Sequence, residues 1–211
     1  MSESGPPICV IAWSGGYDST LILDRLCSAG DKNVWAYSLD WHMVNELKRE
    51  QEKAARDSYR EYAKRKGYIF CHETMTVTST MSAFGDGLPQ VLAWFNFVSP
   101  YLPAESELYF GYHRGDDFWM YQRFAENLME NAAALREMKV TIQYPLKLMR
   151  KCDVVEEVKK RGIPSRCVWS CENPAKRKGR IVACGNCVPC RTMKLAEYEG
   201  TTLRVLEAEH E

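Results

Sequence analysis

The stretch at residues 12–20, "AWSGGYDST", sets two adjacent glycines between serines, directly after the apolar run Ile8-Cys9-Val10-Ile11. Between a buried strand and a helix, Ser14-Gly15-Gly16-Tyr17-Asp18-Ser19 leaves backbone N–H groups uncovered and adds two hydroxyls. They stand at a helix N-terminus, whose dipole favours an anion. That combination reads as a phosphate cradle; the plainer alternative is a serine-glycine turn that caps a helix. A Walker loop ends in Gly-Lys-Ser/Thr, and no lysine follows these glycines; the dinucleotide pattern G-x-G-x-x-G is absent too.

Outward from the cradle, strand-like and helical patterns alternate. Ile8 to Ala12 reads as a buried strand, Ser19 to Ala29 as a helix closed by Gly30, and Val34 to Leu39 as a second strand. Glu46 to Lys66 has Leu47, Ala54, Ala55, Tyr59, Tyr62 and Ala63 near helical spacing and stops at Gly67; Tyr68 to Val77 is strand-like again. Val91 to Val98 reads as a helix, Leu108 to Tyr112 as a strand, Asp117 to Leu135 mainly as helix, Val140 to Tyr144 as a strand, and Asp153 to Lys160 as a helix before Gly162. Such alternation predicts an α/β fold, a mostly parallel sheet with helices on both faces and ligands beyond the carboxyl ends of the strands. After Pro164 cysteine, lysine, arginine and glycine replace the periodic pattern. We therefore divide the chain into a nucleotide domain at 1–164 and a small cysteine-bearing module with a C-terminal helix at 165–211.

The 28 basic residues equal the 28 acidic ones, so no overall field draws in nucleic acid or anionic membrane, and a small-molecule ligand is expected. The opening MSESGPP lacks the basic and apolar regions of a secretory leader, and no window approaches the roughly 18 apolar residues of a membrane span. The expectation is a cytoplasmic protein without a membrane partner, whose nine cysteines stay reduced to bind metal or lie buried. Cys171, Cys184, Cys187 and Cys190, spaced C-x12-C-x2-C-x2-C, read as a closed four-cysteine site for structural Zn²⁺. Cys167, four residues before Cys171, competes as the first ligand; a redox C-x-x-C pair is the other alternative.

The motif Ser14-Gly15-Gly16-Tyr17-Asp18-Ser19 resembles the SGGxDS signature of the PP-loop ATP pyrophosphatases. With "VWSCENP" and "CGNCVPC", the chain resembles, over nearly its whole length, the 7-cyano-7-deazaguanine synthase (QueC-like) family. The resemblance implies an adenine-nucleotide α-hydrolase-like fold. Ser14, Gly15, Gly16 and Ser19 would bind the pyrophosphate of ATP, Asp18 would hold Mg²⁺, and the four cysteines would hold zinc. It also implies adenylation of 7-carboxy-7-deazaguanine, attack by ammonia to give the amide, a second activation to the nitrile, and a homodimer. "YPLKLMRKCDVV" is similar to the family's P-L-x-x-x-x-K segment and points to Lys151; Gly111 and Asp116-Asp117 are further matches.

The chain also departs from that pattern. Ser38-Leu39-Asp40-Trp41-His42 stands where the family carries tyrosine-glycine-glutamine, and the V-P-x-R-N segment is reduced to Gly87-Leu88-Pro89-Gln90. The ATP half is intact and the acceptor half has drifted. A related alternative is therefore an antiviral-defence enzyme that joins the deazaguanine carboxylate to a protein N-terminal amine; from another class, a tRNA-modifying PP-loop protein remains.

His42 lies past the second strand, and His113, Arg114, Asp116 and Asp117 past another. Strand-end loops carry function, so His42, Arg114 and Asp116 are candidate substrate contacts and Asp117, with Asp18 and Lys151, a candidate catalytic residue. Each has a plainer alternative as a solvated loop or helix-opening side chain. Trp94, Phe95 and Phe97 read as core or interface, and "KRKGR" at 176–180 as a solvated basic loop.

Overall fold

The structure, a computed structural model, describes residues 8–41, 45–77, 94 and 98–196. Along the chain β1 (Ile8–Ala12), α1 (Tyr17–Ala29), β2 (Val34–Trp41), α2 (Glu46–Lys66), β3 (Cys71–Val77), β4 (Glu105–Tyr109), α3 (Gln122–Leu135), β5 (Lys139–Gln143) and α4 (Lys151–Lys160) alternate. The five strands form one sheet in the order β3-β2-β1-β4-β5, and every pairing is parallel. The chain runs outward from β1 through β2 to β3, then returns to the other side of β1 for β4. The gap between the loops after β1 and β4 is thus the switch point where such sheets bind ligands.

Successive side chains of β1 face opposite ways, which explains why both faces are covered. Cys9, Ile11 and Trp13 join Leu21, Ile22, Leu23 and Leu26 of α1, Tyr59, Tyr62 and Ala63 of α2, and Val154 and Val158 of α4 in one core. Val10 and Ala12 join Leu108, Phe110, Phe118, Ala125 and Met129 in the other, with Trp94 and Val98. Each large apolar side chain buried in this way stabilises the fold by roughly 1.5–3 kcal/mol. The Asn45 side chain accepts the Leu47 N–H to start α2, and the Gly67 N–H ends it on Ala63 O and Lys64 O.

Several expected bounds shift, β3 opening at Cys71 rather than Tyr68, and two differences bear on the site. The strand expected at 108–112 is β4 at Glu105–Tyr109, because its register against β1 pairs Ile8 with Ser106 and Ile11 with Tyr109. Phe110 to Tyr112 cross the switch point instead. The helix expected over 117–135 is a 3-10 turn at Asp117–Met120 followed by α3, separated by Tyr121 with φ −108° and ψ −3°. Phe118 stacks on Tyr112 at a centroid distance of 3.9 Å, and this anchors the tighter turn.

Beyond α4, β6 (Ala175–Arg177) and β7 (Arg180–Val182) form an antiparallel hairpin, and residues 188–196 are helical. The "KRKGR" stretch, expected as a solvated loop, is exposed and forms the tip of this hairpin. The helix expected at 91–98 lies mostly outside the described residues, as do His42, Phe95, Phe97 and the chain beyond 196. Among the described residues no helix is long and apolar enough to cross a membrane.

Candidate active site and metal centre

A cavity of about 270 Å³ opens at the switch point, walled by Ser14, Gly16, Asp18 and Ser19 after β1 and by Phe110, Gly111, Tyr112, His113 and Asp116 after β4. Its remaining walls include Lys48 and Glu52 of α2, Trp94, Lys151, Trp169, Ser170, Glu172, Val188, Pro189 and Thr192. The loop after β1 is closely fixed. Ser14 Oγ accepts the Gly16 N–H at 3.1 Å and lies 3.1 Å from Ser19 Oγ, while the Arg56 guanidinium donates to Ser14 O at 2.9 Å from beneath.

Gly15, with φ +89°, passes so close to α2 that a Cβ would stand 3.0 Å from Glu52 O. Gly111 is required for approach rather than for its dihedral, since a Cβ there would meet Ser19 N at 2.8 Å. The two rims of the switch point therefore touch backbone to backbone. α1 opens without a side-chain cap, leaving its positive dipole end toward the cavity.

Lys151 forms an ion pair with Asp18 Oδ2 and is only 13% exposed. A lysine at the start of a helix gains nothing from the helix dipole; its pairing with Asp18 is what places it. Asp18 Oδ1 is buried with no hydrogen-bond partner among the described residues. A lone carboxylate oxygen in a phosphate-sized cavity fits a divalent cation such as Mg²⁺, a hard ion with a preference for oxygen. Burial pushes the Asp116 carboxyl above its ordinary value; His113 opposes this and the neighbouring Asp18 adds to it. The His113 backbone N–H donates to Asp116 Oδ2 at 3.2 Å.

The structure thus brings Ser14, Gly16, Asp18, Ser19, Asp116 and Lys151 to one cavity, with Gly15 buried behind it. It does not bring Asp117 or Arg114 there. Asp117 is exposed at the start of the 3-10 turn because Phe118 takes the inward position. Arg114 is exposed, and what holds it is its backbone N–H on Met149 O at 2.7 Å. Trp94, expected as core or interface, is both core and cavity wall.

Lys48, Glu52 and Arg56 escaped the sequence reading. Their spacing of four lines them along one face of α2, continuous with buried Tyr59 and Ala63, and charges within a buried stripe are the signal that would have found them. Lys48 pairs with Glu52 at 3.5 Å and with Glu172. Burial works against the Lys48 charge, but Glu52 and Glu172 outweigh it and hold its pKa above the usual value. Burial raises the Glu52 carboxyl despite Lys48 and Arg56.

The sulfurs of Cys171, Cys184, Cys187 and Cys190 all lie within 4.8 Å of one another. Cys184 to Cys190 is 4.0 Å and Cys187 to Cys171 is 3.9 Å. A tetrahedral ion with bonds of about 2.3 Å to sulfur sets edges of about 3.8 Å, so the cluster is compatible with one metal such as zinc. The backbone N–H groups of Asn186 and Cys187 point at Cys184 Sγ and lower its pKa to about 6, toward the thiolate a metal binds. Cys167 is buried in the core and stands apart from the cluster, which leaves Cys171 as the fourth member. The cluster also meets the loop after β1: the Trp169 N–H donates to Gly15 O at 2.8 Å, and Trp169 Nε1 to Cys171 O at 3.0 Å.

The model of the family described as "Queuosine biosynthesis protein QueC" matches residues 117–199, which include Lys151 and all four clustered cysteines. No curated protein matches the chain. Among solved structures, the U34-tRNA thiolase NcsA from Methanococcus maripaludis, with its [4Fe-4S] cluster, is similar at TM-score 0.51 and 11% identity over 92% of this chain. NMN synthetase from Francisella tularensis is similar at TM-score 0.46 and 16% identity over 77%. The chain spans 66% and 65% of those two chains. Residues 117–199 thus resemble the QueC family, and the chain shares its fold with the thiolase.

Proposed function

We propose that the protein adenylates the carboxylate of 7-carboxy-7-deazaguanine with ATP, then directs nitrogen onto the activated carbon to give the amide and, after a second activation, 7-cyano-7-deazaguanine. The observation that carries this reading is the convergence of the SGGxDS loop, the Asp18–Lys151 pair and Asp116 with Trp169 and Ser170, which lie within the QueC match, around one cavity.

A carboxylate is a poor electrophile until one oxygen becomes a leaving group. In the first step its oxygen attacks the α-phosphorus of ATP and pyrophosphate departs. Ser14, Gly16, Ser19 and the α1 N-terminus receive the departing phosphates, and Lys151 balances charge that builds on them. Ammonia then attacks the acyl carbon and AMP leaves; adenylation of the amide oxygen followed by loss of AMP and protons gives the nitrile. Mg²⁺, held through Asp18 and Asp116, would supply charge neutralisation at the phosphates. Zn²⁺ on the four cysteines would supply folding energy to the loop that carries Trp169 and Glu172.

A second reading, conjugation to a protein N-terminal amine, is favoured by one feature. Val188, 65% exposed, and Pro189 make an apolar rim that ammonia does not need and a peptide can use. A tRNA-thiolating reading has less support, because no cysteine is among the residues that line the cavity. The test is AMP release from ATP and Mg²⁺ with either the deazapurine acid or tRNA added. Release that depends on the acid supports the proposal; release that depends on tRNA, or on neither, overturns it.

A further inference from the structure

We propose that Lys48 is the receptor for the substrate's carboxylate, and that Glu172 is its resident counter-ion, displaced when the acid enters. This rests on the reading of the cavity as a carboxylate-activating site.

Lys48 is a cation held inside the cavity wall, with its side chain 8% exposed, one turn before Glu52 and two turns before Arg56. Around Glu52, two cations and two carboxylates, Lys48, Arg56, Glu52 and Glu172, balance one another, with Arg56 behind the wall on Ser14 O. Adding a further carboxylate to such a pocket would leave a net negative charge in a poorly solvated place, which is costly. Exchange of one carboxylate for another keeps the count.

The two acids differ in their ability to leave. Glu52 is fixed within α2, 18% exposed and flanked by both Lys48 and Arg56. Glu172 is 49% exposed and follows Cys171 on the segment leading to the β6–β7 hairpin, so it can turn to water without uncovering core. It occupies the lysine in the way a substrate carboxylate would. The same lysine also walls a second, smaller cavity of about 30 Å³ with Ser14 and Trp94, which puts the proposed receptor beside the loop that would hold ATP. Asp18 already engages the other cavity lysine, Lys151, leaving Lys48 as the cation whose partner can exchange.

Calorimetric binding of 7-carboxy-7-deazaguanine and of its neutral 7-carboxamide to the intact, metal-loaded protein, with a non-hydrolysable ATP analogue present, tests the exchange. The readout is the ratio of the two affinities, because damage to folding or to the base pocket weakens both ligands together. Lys48→Met is expected to lower the preference for the acid on the order of tenfold or more, and Glu172→Gln to raise it several-fold, with Lys48→Arg keeping part of the preference. If the wild type prefers the acid and neither Lys48→Met nor Glu172→Gln moves the ratio, the receptor assignment is wrong while the functional reading stands. If Lys48→Met weakens the ATP analogue and leaves the ratio alone, Lys48 serves phosphate and the proposal is overturned. If the wild type binds neither purine, the functional reading fails and takes the proposal with it.

Discussion

Asp18 divides its two carboxylate oxygens between tasks: Oδ2 pairs with Lys151 and Oδ1 is buried without a partner among the described residues. Asp18→Asn keeps the shape while removing the charge that pairs with Lys151 and that the proposed cation would require. AMP formation is expected to fall by at least about a hundredfold, with a melting curve close to wild type; an unchanged rate would remove Asp18 from the mechanism. Glu157, away from the cavity, shows the sign of a structural carboxylate. The hydrogen bond from Arg25 comes first, with Arg161 also contributing, and together they hold its pKa below the ordinary 4.5. Its contribution to stability is therefore complete above about pH 4.5 and is lost as pH falls through the lower folded value. In Glu157→Gln the acid side of the stability curve should be shallower than in wild type; identical curves in chemical denaturation at pH 3 to 5 would contradict the assignment.

Among elements, the segment that carries the first cysteine is also a wall of the candidate site, through Trp169, Ser170 and Glu172. Trp169 bonds Gly15 and Glu172 reaches Lys48, so a metal that orders this loop would also order the loop after β1. Removal of the metal by a chelator is expected to lower the melting temperature and, in parallel, the rate of AMP formation by about a hundredfold, since small displacements of positioning groups cost that much. A metal-free protein that melts lower yet forms AMP at the original rate would separate the two. The ends of β1 and α2 were legible in the sequence because local signals set them: an apolar run before glycines, and a helical stripe stopped at Gly67. β4 was misplaced by three residues because parallel register, a long-range property, sets its ends. The pairing of Lys48 with Glu172 was missed for a related reason, since 124 residues separate the two, and only the four-residue spacing of Lys48, Glu52 and Arg56 was there to read.

For the whole molecule, strand order is what turns separate motifs into a site. β1 lies at the centre, its two neighbours leave in opposite directions, and the loops after β1 and β4 meet at Gly111 and Ser19. The SGGxDS loop, the Asp116 loop, Lys151 at the start of α4 and the cysteine module then close on one cavity of about 270 Å³. The motifs were readable one by one; their convergence follows from the switch in strand order. The most direct measurement is the product mass after incubation of the metal-loaded protein with ATP, Mg²⁺, 7-carboxy-7-deazaguanine and ammonium. AMP together with 7-cyano-7-deazaguanine is the predicted result, and an unchanged acid without AMP would contradict the account.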